Sequence, residues 1–245
     1  MTGRQAPQIE LSDVSLGYAG RPVLRKVSWS IRRGSMTALV GPNGGGKTTL
    51  LKAIAGEIRP LAGTIDRHGI EPGAVGYLPQ SSDFDRQFPI QVKHVVAMGL
   101  WPKLGPFENL RKSDAETVDD ALTGVGLTGF GRKGIGELSG GELQRVLFAR
   151  MMVLDASVIL LDEPFVAIDR DAVSDLLAIV TGWHRQGRTI VAALHDLDQV
   201  RSAFPEAMRI AGGTATLGAT AEILGVAGVV APTSAGSNAR PGAVA

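Results

Sequence analysis

Cysteine is absent from this sequence. Cysteine-ligated zinc, iron–sulfur clusters and thiol catalysis are therefore excluded, and no redox argument about compartment can be made. Neither sign of charge is in excess: 25 Lys and Arg face 24 Asp and Glu, for a formal charge of +1. Broad electrostatic capture of nucleic acid needs a basic surplus, so no nucleic-acid partner is expected. Nowhere do about 18 uninterrupted apolar residues occur, and no membrane span is expected. The N-terminal stretch MTGRQAPQIELSDVS lacks the apolar core of a secretory signal. Internal repeats and heptads are also missing. A soluble, cytoplasmic chain is the expectation. With 245 residues it can bury most of its unfolded surface without a disulfide or metal staple.

What is present is an alternation of short β-branched runs with longer helical patterns. Val27 to Ile31, Met36 to Val40, Val75 to Leu78, Val158 to Leu161 and Thr189 to Ala193 read as strands. Most suit strands buried on both faces of a largely parallel sheet. Thr48 to Ala55, Asp171 to Gln186 and Asp196 to Ala203 read as helices, the last two opening on an acid that suits a helix N-terminus. Such alternation predicts an α/β layer fold. From about Phe84 to Gly136, Pro and Gly punctuate short helical patterns, among them Val92 to Met98 and Ser113 to Leu122. This stretch reads as an inserted helical subdomain. Residues 228–245, small, Pro/Gly-rich and nearly chargeless, read as a disordered tail.

Chemistry enters with Gly41-Pro42-Asn43-Gly44-Gly45-Gly46-Lys47-Thr48, a full match to G-x-x-x-x-G-K-[ST] lying between a strand pattern and a helix pattern. Glycines let the backbone curl so that its N–H groups face phosphate oxygens, and a helix N-terminus adds positive potential. Lys47 is placed to reach the β- and γ-phosphates, Thr48 to bind Mg²⁺ through its hydroxyl, and Thr49 to touch the α-phosphate. The spacing predicts a nucleotide triphosphate with Mg²⁺.

Val158 to Leu161 is an apolar run ending in Asp162-Glu163-Pro164. Carboxylates at the end of a buried strand need a counter-charge, because burying them alone is costly. Magnesium at the neighbouring loop would supply it, held by Asp162, while Glu163 orients the attacking water or takes its proton. Between loop and acids lies Leu138-Ser139-Gly140-Gly141-Glu142. Ser139 before two glycines opens a helix with a second anion-ready N-terminus, readable also as a plain helix cap.

Taken in order, the loop, Leu-Ser-Gly-Gly-Glu and Leu-Leu-Asp-Glu-Pro resemble the ATP-binding subunit of an ABC transporter over roughly Ile9 to Leu224. The resemblance implies a P-loop core with an inserted helical subdomain (about 84–150), an N-terminal antiparallel β region, and one ATPase domain over 1–227. It implies that Tyr18 stacks on adenine, that Gln80 senses Mg²⁺ and γ-phosphate, that Asp169 lies in a loop crossing between subunits, and that His195 contacts γ-phosphate. Core packing is the other reading of Tyr18. Lys47, Gln80, Glu163 and His195 are thus the expected catalytic set, with Thr48, Gln80 and Asp162 around Mg²⁺. Ser139, Gly140 and Gly141 of one copy are expected to close on ATP held by another, so a homodimer is implied. Gly45 and Thr48 stand where Ser is frequent in the family, and Val166-Ala167 where Ser-Ala is; the needed chemistry survives both changes.

A finer resemblance concerns cargo. Phe88-Pro89-Ile90, Val95 to Gly99, Met98 to Phe107 and Leu194-His195-Asp196-Leu197 are similar to importers of zinc and manganese, the third segment most to a zinc subgroup. This implies a separate membrane permease, an extracytoplasmic capture protein, and a peripheral position on the inner membrane face. Iron–siderophore and haem importers share much of the pattern and are the alternative; a soluble non-transport ATPase is a remoter one. Trp101 and Phe107 are expected to pack in the core or against the permease.

Overall fold

The computed structural model describes residues 7–71, 73–80, 85–104, 111–166 and 168–226. A hairpin opens the chain: β1 (Pro7–Tyr18) and β2 (Arg21–Arg32) pair antiparallel around Ala19-Gly20, both at positive φ. Two such residues give a turn whose twist matches that of the strands. β3 (Met36–Val40) leads into α1 (Lys47–Ala55), and β4 (Ala62–Asp66) then pairs with the free edge of β1. The resulting three-stranded sheet, ordered β2-β1-β4, is the expected antiparallel region.

The second sheet has six strands. β5 (Val75–Leu78), β6 (Val158–Asp162), β7 (Thr189–Ala193) and β8 (Glu206–Ala211) run parallel with β3, and β9 (Thr214–Ala219) closes the edge antiparallel to β8. Their order is β5-β6-β7-β3-β8-β9. β3, β6 and β7 are buried at every position, as a sheet covered on both faces requires.

Side chains alternating along these strands build two cores. Leu39, Val158, Leu160 and Val191 join α1 and the hairpin sheet in one cluster. Met36, Ala38, Ile159, Leu161 and Ile190 join the other, with α2 (Val92–Ala97), α3 (Lys112–Gly124), α4 (Gly140–Leu154) and α5 (Arg170–Arg185). There Phe148 stacks on Trp183 (5.9 Å) and Phe165 (6.3 Å). α6 (Leu197–Ala203) and α7 (Thr220–Val226) complete this side. Among the described residues no helix is long and apolar enough to cross a membrane.

Strands read at Met36–Val40, Val75–Leu78 and Thr189–Ala193 match end to end. Others shift. β2 extends well beyond Val27–Ile31, and α1 begins one residue early at Lys47. α2 stops at Ala97 and tightens into a 3₁₀ turn over Met98–Leu100. α5 starts at Arg170, its acidic cap being Asp169 rather than Asp171. Asp196 likewise caps α6 instead of forming its first residue. Trp101 is 66% exposed, which removes it from the core. Phe84, Phe107, Ala167 and the tail 228–245 lie outside the described residues.

Candidate functional site

Leaving β3, the chain makes a loop that only glycine allows at two points. Gly41 has φ 152°, and a Cβ there would sit 2.1 Å from the Ile210 carbonyl oxygen. Gly46, at φ 107°, precedes α1, and its Cβ would press to 2.8 Å from Leu24 Cγ. No side chain caps α1, and its first turn holds no acid, so its leading N–H groups and positive end face outward. Lys47 is 5% exposed and donates through Nζ to the carbonyls of Gly41 (2.9 Å) and Pro42 (3.1 Å). Burial pushes the Lys47 ammonium below its usual range, against the pull of the Glu163 and Asp162 carboxylates.

β6 delivers the acids. Asp162 is 1% exposed; Thr48 donates to its Oδ1 and Tyr77 to its Oδ2, both at 3.1 Å. Burial raises the Asp162 carboxyl above the ordinary range, an effect opposed by these two hydroxyls and reinforced by Glu163. Tyr77 reaches it because β5 pairs with β6 in register. Glu163 follows with φ 50°, a conformation that costs a bulky residue about 1–3 kcal/mol. Its N–H donates to the Ala193 carbonyl (3.1 Å), and its Oε1 meets His195 Nε2. Strain of this kind at a functional side chain persists only where neighbouring bonds enforce it.

A cavity of about 480 Å³ brings together Tyr18, Asn43, Gly44, Gly46, Lys47, Thr48, Thr49, Gln80 and Glu163. That volume falls in the range of nucleotide-sized ligands. Tyr18 is 53% exposed at the hairpin tip, so core packing does not account for it. Gly41, Pro42 and Gly45 shape the loop without lining this cavity; Gly45 N–H is spent on the Pro42 carbonyl (3.1 Å). His195 joins through Glu163. Asp162 sits behind Thr48, as its hydrogen bond requires.

Ser139, Gly140, Gly141 and Asp169 are not part of this cavity. Ser139 forms a capping box at the start of α4: its Oγ accepts from Glu142 N–H (3.2 Å), and its N–H donates to Glu142 Oε2 (2.7 Å). That N–H, followed by the hydroxyl, holds the Glu142 carboxyl below its usual range. Asp169 caps α5 by accepting from Ala172 N–H (2.9 Å). Both caps leave helix N-termini whose remaining N–H groups can serve an anion brought from outside the chain.

Sequence reasoning missed Tyr77 as a partner of Asp162. Its signal, an aromatic hydroxyl on a strand, acquires meaning only once β5 is known to flank β6. A magnesium ion fits the donors present. The Thr48 hydroxyl and Asp162 carboxylate are hard oxygen ligands 3.1 Å apart, and burial, the cause of the raised Asp162 carboxyl, is what a bound cation would offset.

Residues 24–166 match the ABC transporter family. The manganese transport system ATP-binding protein MntB of Bacillus subtilis is 32% identical over 200 residues, covering 80% of each chain. The zinc uptake system ATP-binding protein ZurA of Listeria monocytogenes is 37% identical over 202 residues, covering 79% of each. Among solved structures, an inward-facing putative metal-chelate type ABC transporter superposes with a TM-score of 0.78 at 26% identity, over 89% of this chain and 85% of the other. A glycine loop feeding a lysine into a strand-end carboxylate pair, together with these relatives over four-fifths of the chain, leaves one assignment: the chain belongs to the ABC transporter family as an ATP-hydrolysing subunit.

Proposed function

We propose that this chain powers import of a metal ion, zinc or manganese, through a separate integral membrane permease. The observation that carries the reading is the cavity uniting Lys47, Thr48, Gln80 and Glu163 with an aromatic rim at Tyr18. The two relatives named for manganese and zinc transport support the cargo.

ATP lies with its adenine against Tyr18 and its phosphates over Asn43 to Thr49. Lys47 exchanges the carbonyls of Gly41 and Pro42 for β- and γ-phosphate oxygens. Thr48 and Asp162 are the residues that would hold Mg²⁺, with Gln80 lining the same cavity as Thr48, and the ion would supply neutralisation of phosphate charge. A water attacks the γ-phosphorus, its proton passes to Glu163 Oε, and the bond to the β-phosphate oxygen breaks to leave ADP. His195 positions Glu163 and contacts the γ-phosphate.

Ser139, Gly140 and Gly141 act on the ATP of a second copy, which makes the working unit a homodimer with Asp169 in the crossing loop. ATP then favours the closed dimer through contacts that hydrolysis removes. Gln80 and the helical region after it (about 84–150, within one domain over 1–227) relay closure to the permease at the inner membrane face. An extracytoplasmic protein captures the metal. Nucleic acid takes no part.

Deleting the gene and growing cells with a chelator tests this. Growth is expected to return with added zinc or manganese, or with this chain supplied in trans, but not with Glu163→Gln. Rescue by iron alone, or by no metal, overturns the cargo.

A further inference from the structure

β8 carries a cation, Arg209, beside Val40 of β3 and on the face of the sheet that α6 and α7 cover. Ala207 belongs to the cluster containing Leu194, Ile223 and Leu224, whereas Met208 and Ile210 face the hairpin-sheet side. Alternation therefore turns Arg209 the way of Ala207, toward α6 and α7. There it borders a cavity of about 260 Å³ whose apolar walls are Val40, Leu194, Leu197, Ile223 and Leu224. Gly41 and His195 border it too, so it lies beside the nucleotide site and is separate from the cavity that contains Lys47. Arg209 is half-buried, and among the described residues its side chain has neither ion pair nor hydrogen bond.

A guanidinium stays ionised and carries five donors in a fixed fork. Half-buried beside an apolar wall, with no partner for its fork among the described residues, it leaves those donors for an anion. A carboxylate fits the fork with two parallel hydrogen bonds, and an attached hydrocarbon fits the walls. The volume falls below the roughly 300 Å³ at which drug-sized sites begin, so the guest is compact. We propose that this cavity binds a small monocarboxylate with an apolar body, its carboxylate on Arg209 and its chain against Leu197, Ile223 and Leu224.

The test titrates the full chain and its Arg209→Leu variant with octanoate, 1-octanol and acetate, by calorimetry and by ligand-observed NMR. Octanoate is expected to bind the natural chain about tenfold or more tightly than the variant, the worth of a charge-assisted bond. Octanol is expected to bind both alike, and acetate neither. The variant is expected to keep its thermal midpoint within about 3 °C, since a half-buried cation becomes a leucine among leucines. Equal octanoate affinity for both chains overturns the proposal, as does octanol matching octanoate on the natural chain. It is equally overturned if octanoate binds neither while Arg209→Leu weakens the ATP-dependent dimer, which would assign Arg209 to a second copy.

Discussion

Thr48 and Asp162 stand 114 positions apart in the chain, yet the hydroxyl of one donates to the carboxylate of the other at 3.1 Å. Each half of this pair comes from a different strand–loop unit, β3 leading to Thr48 and β6 ending on Asp162. Two strands lie in the same parallel sheet, separated by β7 alone. Residues at their C-terminal ends converge there, where open α/β sheets hold ligands.

Asp162 is the first place to perturb. Burial raises its carboxyl above the unfolded range, so folding disfavours the ionised form. The stability this one group contributes is therefore fully present below the usual carboxylate pKa and is lost as pH rises through the raised value. Asp162→Asn removes that titration. Its nucleotide-free thermal midpoint should exceed the natural chain's at neutral pH, and the advantage should vanish in acid. Mg²⁺-dependent turnover should drop by at least about 100-fold. Equal midpoints across the pH range would show that the carboxylate is not desolvated.

Glu163→Gln should retain ATP while losing at least about 100-fold in turnover, the usual worth of a general base. With ATP and Mg²⁺ it should elute as a dimer on size exclusion. A variant that hydrolyses normally removes Glu163 from the reaction.

Two glycines of the same loop should respond differently to alanine. At Gly41 the new Cβ meets backbone, the Ile210 carbonyl at 2.1 Å, which cannot swing aside. At Gly44, with φ 74°, nothing lies within 4 Å. Denaturant unfolding should show a loss of about 1 kcal/mol for Gly44→Ala, the conformational term alone. Gly41→Ala should lose more than about 2 kcal/mol, because overpacking adds to strain. Similar losses would mean that the close approach to β8 is absent.

Tyr18→Ala should leave stability within about 0.5 kcal/mol, since the ring is largely exposed, and should weaken ATP binding about tenfold or more through lost stacking. Tyr18→Phe should bind normally. If both variants bind ATP as the natural chain does, the ring does not touch the base.

Much of the sheet was legible because its strands are short apolar runs bounded by turn or polar residues: β3 and β7, buried at every position, and β5, buried at alternate ones, match their sequence runs residue for residue. β1 was not, since its alternation breaks. Register shifts occur between Leu11 and Val14, and Asp13 takes φ 48°. β9 was hidden for the opposite reason, being a mostly exposed strand of small residues that no periodicity marks. β8 and β9 turn on Gly212-Gly213, both at positive φ, a signal present but small beside so many other glycines.

The sequence by itself determined the phosphate loop, the acidic strand end and the Ser-Gly-Gly helix start, because each is a local device in which backbone conformation and side chain come from consecutive residues. Only the tertiary structure decided who meets whom. Tyr77 reaches Asp162 because β5 lies next to β6, His195 reaches Glu163 because β7 lies next to β6, and Arg209 faces an apolar cavity because β8 is covered by α7. Those neighbours are set by strand order in the sheet, which depends on burying two faces at once, and no local stretch of residues encodes that.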